Sequence, residues 1–191
     1  YVTGQTFGSL GGPSVGGYDA FLSRYDAAGN LLWTAQLGSD QHDWSTGVSA
    51  DPLGNVFIAG WTGGSIGGPL AGSTDSFVSR YDNAGNLLWT NQFGTAADDR
   101  AMGVSADGLG NVYIAGWTSG SLAATQIGDY DAFLFKYDSA GSLLWSRQLG
   151  TLPTVFAQSV SADGLGNVYI SGLTAGNLDG PNAGASDAFV A

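Results

Sequence analysis

Residues 104–116 read VSADGLGNVYIAG and residues 160–172 read VSADGLGNVYISG. A looser copy, VSADPLGNVFIAG, occupies residues 48–60. In each copy Asp-x-x-Gly-Asn joins a small-residue segment to a β-branched and aromatic one. An Asp at the head of a turn accepts hydrogen bonds from the N–H groups that follow it, and a Gly three residues later takes a positive φ. A type I turn with a Gly bulge is a tight hairpin connection. Pro52 falls at the second turn position, where its fixed φ fits. The form recurs at Asp26 (DAAGN), Asp82 (DNAGN) and Asp138 (DSAGS). A calcium loop of the EF-hand kind needs alternating carboxylates and a closing Glu, but each of these loops has one carboxylate and the chain has no Glu. A phosphate loop needs a helix after it, and strand-forming residues follow instead. The repeated motif is therefore a construction element.

Asp19, Asp75, Asp131 and Asp187 each open a DAF or DSF segment, at steps of 56 residues (75 − 19, 131 − 75, 187 − 131). Gly4, Gly60, Gly116 and Gly172 keep the same step. A fixed period of this size marks a repeat architecture, each repeat being one supersecondary unit. The chain divides into a partial repeat 1–18, copies 19–74, 75–130 and 131–186, and a partial repeat 187–191, all in one repeat region over 1–191. In the first full copy, strands are predicted near 19–25, 31–37, 45–50 and 55–61, where Val, Ile, Phe, Tyr, Trp and Thr concentrate between Gly and Asp clusters. Four antiparallel strands repeated radially are the plan of a β-propeller blade. The expected fold is all-β, about three and a half repeats of such blades. Strands apolar on both sides, such as LLWTAQL at 31–37, suit blades that cover each other's faces. The small-residue strand containing GVSA suits the crowded innermost position. The column Arg24, Arg80, Lys136 is expected to pair with Asp of the same or the next blade. The column Trp33, Trp89, Trp145 is expected to pack blades together.

The blocks DAFLSRYDAAGNLLWTAQLG at 19–38 and VSADPLGNVFIAGWT at 48–62 resemble the bacterial β-propeller repeat family often called SBBP. The resemblance runs over the whole chain. It implies a propeller within a large secreted or surface-attached bacterial protein, and no defined reaction or catalytic motif. Four blades, the smallest usual ring, exceed 191 residues at this period. The expectation is an open fragment whose further blades come from the same longer chain or from a homo-oligomer.

Composition removes several classes of function. Sixteen Asp against five Lys plus Arg give a formal charge of −11. No basic patch is available, so nucleic acid is an unexpected partner. No apolar run is long enough for a membrane span. The absence of cysteine removes disulfides and thiolate metal sites. Richness in Gly, Ser, Thr, Asn and Asp fits a secreted or cell-surface location.

Function is expected where the copies differ. Strand direction alternates, so the tight turns share one face and the other connections share the opposite one. GSDQHDWSTG at Gly38 becomes GTAADDRAMG at Gly94 and GTLPTVFAQS at Gly150, and the segment after Trp61 varies equally. Variable loops on a rigid scaffold are where recognition usually resides. Asp40, His42, Asp43 and Trp44 place the single His beside two carboxylates and a ring, a set suited to metal binding, acid–base work or sugar stacking. Asp98, Asp99 and Arg100 suit a cation or a local ion pair. Trp61 and Trp117, replaced by Leu173 in the last copy, suit stacking on a glycan. The leading expectation is a non-enzymatic scaffold that binds a protein or glycan ligand through this face. No cofactor is expected, with Ca2+ the one ion left open. The alternatives are a metal-dependent hydrolase or lyase with its site in loop 38–46, and a purely structural envelope or filament repeat.

Overall fold

The computed structural model describes residues 1–191 as fourteen strands in four antiparallel sheets. The first sheet holds β1 (Val2–Thr6), β2 (Asp19–Tyr25) and β3 (Leu31–Leu37). The second holds β4 (Asp43–Ala50), β5 (Val56–Thr62), β6 (Asp75–Tyr81) and β7 (Leu87–Phe93). The third holds β8 (Asp99–Ala106), β9 (Val112–Thr118), β10 (Asp131–Tyr137) and β11 (Leu143–Leu149). The last holds β12 (Val155–Ala162), β13 (Val168–Thr174) and β14 (Asp187–Val190). Each sheet is a meander of sequential neighbours, the blade plan of an open propeller fragment. The chain passes from one sheet to the next at residues 38–42, so a copy counted from Asp19 spans parts of two blades.

The first strands of successive blades lie side by side. The Thr46 hydroxyl donates to the Ala101 carbonyl at 2.9 Å, and the Ala106 and Ala162 amides donate to the Ser49 and Ser105 hydroxyls at 3.0 and 2.9 Å. A Cβ on Gly47 would sit 3.2 Å from Val104 Cγ1, and one on Gly103 would sit 3.2 Å from Ser159 Cα. Small residues are required there because backbones meet, as the GVSA segment predicts.

Burial on both faces follows from blade stacking in the second and third strands of a blade, but not in the outermost strand, where Leu31 and Leu32 of LLWTAQL stay exposed because no blade reaches over that edge. Along β5, Val56 and Ile58 pack with Ala20 and Leu22 of the preceding blade, while Phe57 and Ala59 pack with Ala101, Ile114 and Phe135 of the next. Tyr113 and Ala115 of β9 likewise meet Val155, Ala157 and Ile170 of the last blade. Each fully buried large side chain contributes about 1.5–3 kcal/mol. The cores therefore lie between sheets, and a blade alone has none.

The first two members of the basic and Trp columns act together as a clamp, whereas Lys136 lies over the Tyr113 ring at 5.0 Å. Arg24 Nη1 and Trp33 Nε1 both donate to the Asn83 carbonyl, at 2.8 and 3.2 Å. Arg80 Nη1 and Trp89 Nε1 both donate to the Ser139 carbonyl, the latter at 3.1 Å. For Arg24 and Arg80 the partner is thus a turn carbonyl of the next blade rather than an Asp. Each Trp ring also lies on the next blade's turn glycine, so that a Cβ on Gly141 would come within 3.1 Å of Trp89 Cδ2. Gly141 and Gly166 have nearly equal φ, 85 and 92, but nothing lies within 4 Å of a Cβ at Gly166. Gly166→Ala is expected to cost about 1 kcal/mol from the left-handed backbone alone. Gly141→Ala is expected to cost at least about 1 kcal/mol more, through the ring contact. Urea midpoints of the two variants measure the difference, and equal midpoints would exclude the clamp as a stabilising contact.

Candidate ligand-binding face

The meander sends the connections of each blade to opposite faces. One face carries only Asp-x-x-Gly turns. In the turn at Asp107, Oδ1 accepts the Leu109 and Asn111 amides at 2.9 Å, and Oδ2 accepts Asn111 Nδ2 at 2.8 Å. Gly110 has φ 87. The Asn30, Asn86 and Asn167 side chains hold the Asp26, Asp82 and Asp163 carboxyls below their usual range, as does the Ser142 amide at Asp138. These groups are fully engaged in closing hairpins.

The opposite face carries the interblade linkers and the long connections. Two buried carboxylates organise each of the first two junctions. Asp75 Oδ2 accepts the Ala71 amide and Gln92 Nε2, both at 2.9 Å, and a Cβ on Gly94 would overlap its Oδ1. Asp99 accepts the Thr95 hydroxyl at 2.9 Å, the Thr95 amide and the Thr118 hydroxyl. Asp19 and Asp43 repeat the arrangement, Asp43 accepting from Ser39 and Thr62. Burial pushes the Asp43 and Asp99 carboxyls up, against the Thr62 and Thr118 hydroxyls that hold them down. In the third junction Val155 stands in this position, and the Thr151 and Thr174 hydroxyls bond each other at 3.3 Å.

Asp43 and Asp99 are therefore inside, with their oxygens taken up by structural donors. Asp98 Oδ1 accepts the Thr74 hydroxyl at 3.0 Å, and Asp40 is exposed. Arg100 turns away from both neighbouring Asp residues. Its guanidinium lies 4.2 Å from the Trp61 ring and 5.3 Å from the Trp117 ring. Trp44, the cross-strand partner of Trp61, stacks on it at 4.0 Å. Trp44, Trp61, Arg100 and Trp117 thus form one ladder across two blades. Trp61 is flanked by Trp44 and Arg100, and its ring serves that ladder.

Both ends of the ladder broaden into three-ring clusters. Tyr18, His42 and Trp44 lie with centroids 5.1–5.5 Å apart. Trp117, Tyr130 and Phe156 lie 5.0–5.7 Å apart. His42 Nδ1 accepts the Tyr18 amide at 3.0 Å, which leaves Nε2 to carry the ring proton. Tyr18, Tyr130 and Phe156 are not singled out by their immediate neighbours in the sequence. Their signal is a column relation at twice the repeat step, Tyr18 with Tyr130 and Trp44 with Phe156.

A family model described as "Beta-propeller repeat" (SBBP) matches residues 32–68, 88–123 and 144–179, more than half of the chain. The chain belongs to the SBBP β-propeller repeat family. Among curated relatives, the regulatory protein FlaEY of Caulobacter vibrioides is 29% identical over 158 residues, covering 74% of this chain and 17% of FlaEY. An uncharacterized WD repeat-containing protein of Acanthamoeba polyphaga mimivirus is 24% identical over 181 residues, covering 79% of this chain and 13% of that protein. The chain thus spans less than a fifth of the length of either relative. No helix is long and apolar enough to cross a membrane.

Proposed function

We propose that this SBBP region is a non-enzymatic scaffold, part of a secreted or surface-attached bacterial protein, that binds a protein or glycan ligand through its variable-loop face. The observation that carries this reading is the asymmetry of the two faces. One face is a set of near-identical turns whose polar atoms are consumed by the fold. The other gathers every segment that differs between copies, together with an aromatic ladder and two three-ring clusters. The names of the relatives, a regulatory protein and a repeat protein, support a scaffold rather than an enzyme. Exposed Asp40 and His42 remain the groups through which a metal-dependent reaction would act, but Asp43 is committed to Ser39 and Thr62.

The test is surface plasmon resonance against an array of glycans and a panel of purified bacterial surface proteins. Tyr18→Ser and Tyr130→Ser alter the variable-loop face, and Leu109→Ser and Leu165→Ser alter exposed turn tips. Binding is expected to weaken at least about tenfold in the first pair and to be unchanged in the second. Loss confined to the turn-tip pair, or no binding by any member of either panel, would overturn the reading.

A further inference from the structure

The variable-loop face is acidic as well as aromatic. Of the five basic residues, Arg24, Arg80 and Lys136 flank the tight-turn face, Arg147 lies mid-strand on β11, and only Arg100 belongs to the variable-loop face. That one cation is consumed by Trp61 and Trp117. Exposed Asp40 precedes His42 of the first three-ring cluster by two residues, and exposed Asp129 directly precedes Tyr130 of the second. Ring faces beside carboxylates are the chemistry that holds organic cations, because the ring quadrupole and the nearby charge both attract them.

The three junctions differ in an informative way. In the middle one, where the columns supply Thr74 and Arg100 in place of two rings, the chain lays its own guanidinium over the Trp pair. In the two flanking junctions the same columns supply rings, Tyr18 with Trp44 and Tyr130 with Phe156, and no basic residue of the chain lies over any of these four. The middle junction shows that a guanidinium packs stably against Trp faces on this side of the fold, in the column position that Trp44 and Phe156 fill with rings in the flanking junctions. We propose that the Tyr18/His42/Trp44 cluster and the Tyr130/Phe156 pair seat arginine side chains from a basic segment of a protein partner, with Asp40 and Asp129 supplying the counter-charge. This rests on the proposed binding role of the variable-loop face and commits it to a cationic peptide rather than a glycan. The net charge of −11 steers such a segment toward the chain, and the ring clusters select for arginine within it.

Fluorescence anisotropy with the full chain tests this with three probes: a labelled arginine–serine repeat peptide, the same peptide with citrulline for arginine, and a neutral glucan oligosaccharide. Citrulline keeps the shape and removes the charge. The arginine peptide is expected to bind at least about tenfold more tightly than the citrulline peptide. Tyr18→Leu with Tyr130→Leu is expected to weaken it about fivefold or more, whereas Leu109→Ser on the turn face leaves it unchanged. Should the Tyr variant fail to fold, Asp40→Asn with Asp129→Asn changes only exposed groups, and about threefold weakening is expected. Equal binding of the arginine and citrulline peptides would overturn the inference by showing that the cationic charge plays no part, and binding of the arginine peptide that none of these face variants weakens would overturn it by showing only general polyelectrolyte attraction. Binding of the oligosaccharide without the arginine peptide would remove the inference and leave the binding face standing. Binding of no probe to this face would remove the inference, and the glycan and protein panel then decides the broader reading separately.

Discussion

Asp99→Ala is expected to destabilise the chain by about 2–4 kcal/mol, and Asp99→Val by about half of that or less. The carboxylate is fully buried and satisfies the Thr95 amide, the Thr95 hydroxyl and the Thr118 hydroxyl at once. Alanine leaves these donors without their acceptor and opens a small void. Valine fills the space, and the third junction shows the repair that follows, since beside Val155 the Thr151 and Thr174 hydroxyls turn to each other. The cost also has a pH dependence of definite sign. Burial raises the folded pKa of Asp99 above the ordinary carboxylate value of 3.8. The stability this group contributes is therefore fully present below 3.8 and declines as pH rises through the folded value. The gap between wild type and Asp99→Val is expected to be wider at acid than at neutral pH. Urea denaturation at both pH values measures it, and a Val variant as unstable as the Ala variant would show that the junction does not repair itself.

Much of this architecture was legible because it is local. Asp-x-x-Gly-Asn declares its hairpin within five residues, and the GVSA segment declares its inner position by size alone. The phase of the blade was less accessible. A period of 56 residues marks no starting point, and the linker at 38–42 that crosses between sheets is as short as a hairpin loop. Asp43 and Asp99 read as loop groups because they adjoin His42 and Arg100. Their burial is visible only when Asp43 is matched with Thr62, and Asp99 with Thr118, across the sheet. Arg24 and Arg80 invited a carboxylate partner by charge. They found instead a turn carbonyl, the group that the hairpin itself leaves free. The ring clusters depend on residues from adjacent blades and from connections far apart in sequence, so only their columns hinted at them.

Gly116→Ala is expected to be more damaging still, costing about 4–5 kcal/mol or preventing folding. Gly116 lies in β9 opposite Ala101, beside the bulge between Ala101 and Gly103. A Cβ there would fall 2.0 Å from the Arg100 carbonyl oxygen and 2.8 Å from both Ala101 Cα and Phe133 Cζ. Two of these are backbone atoms of β8, which packs against the first strands of both neighbouring blades and cannot move without shifting the bulge. Arg100, directly before this bulge, lies against the Trp rings, so the clash sits at the root of the ladder. Gly60 and Gly172 face the same obstacle, with their Cβ positions 1.8 Å from the Trp44 and Phe156 oxygens. Gly108→Ala is the matched control, because nothing lies within 4 Å of its Cβ position, and it is expected to stay within about 0.5 kcal/mol of wild type. Thermal melts followed by circular dichroism separate the two. A Gly116→Ala chain that melts with wild type would mean the strand pair relaxes at no cost. The bulge would then be a soft element, and the ladder above it would lose the rigid base on which its recognition role depends.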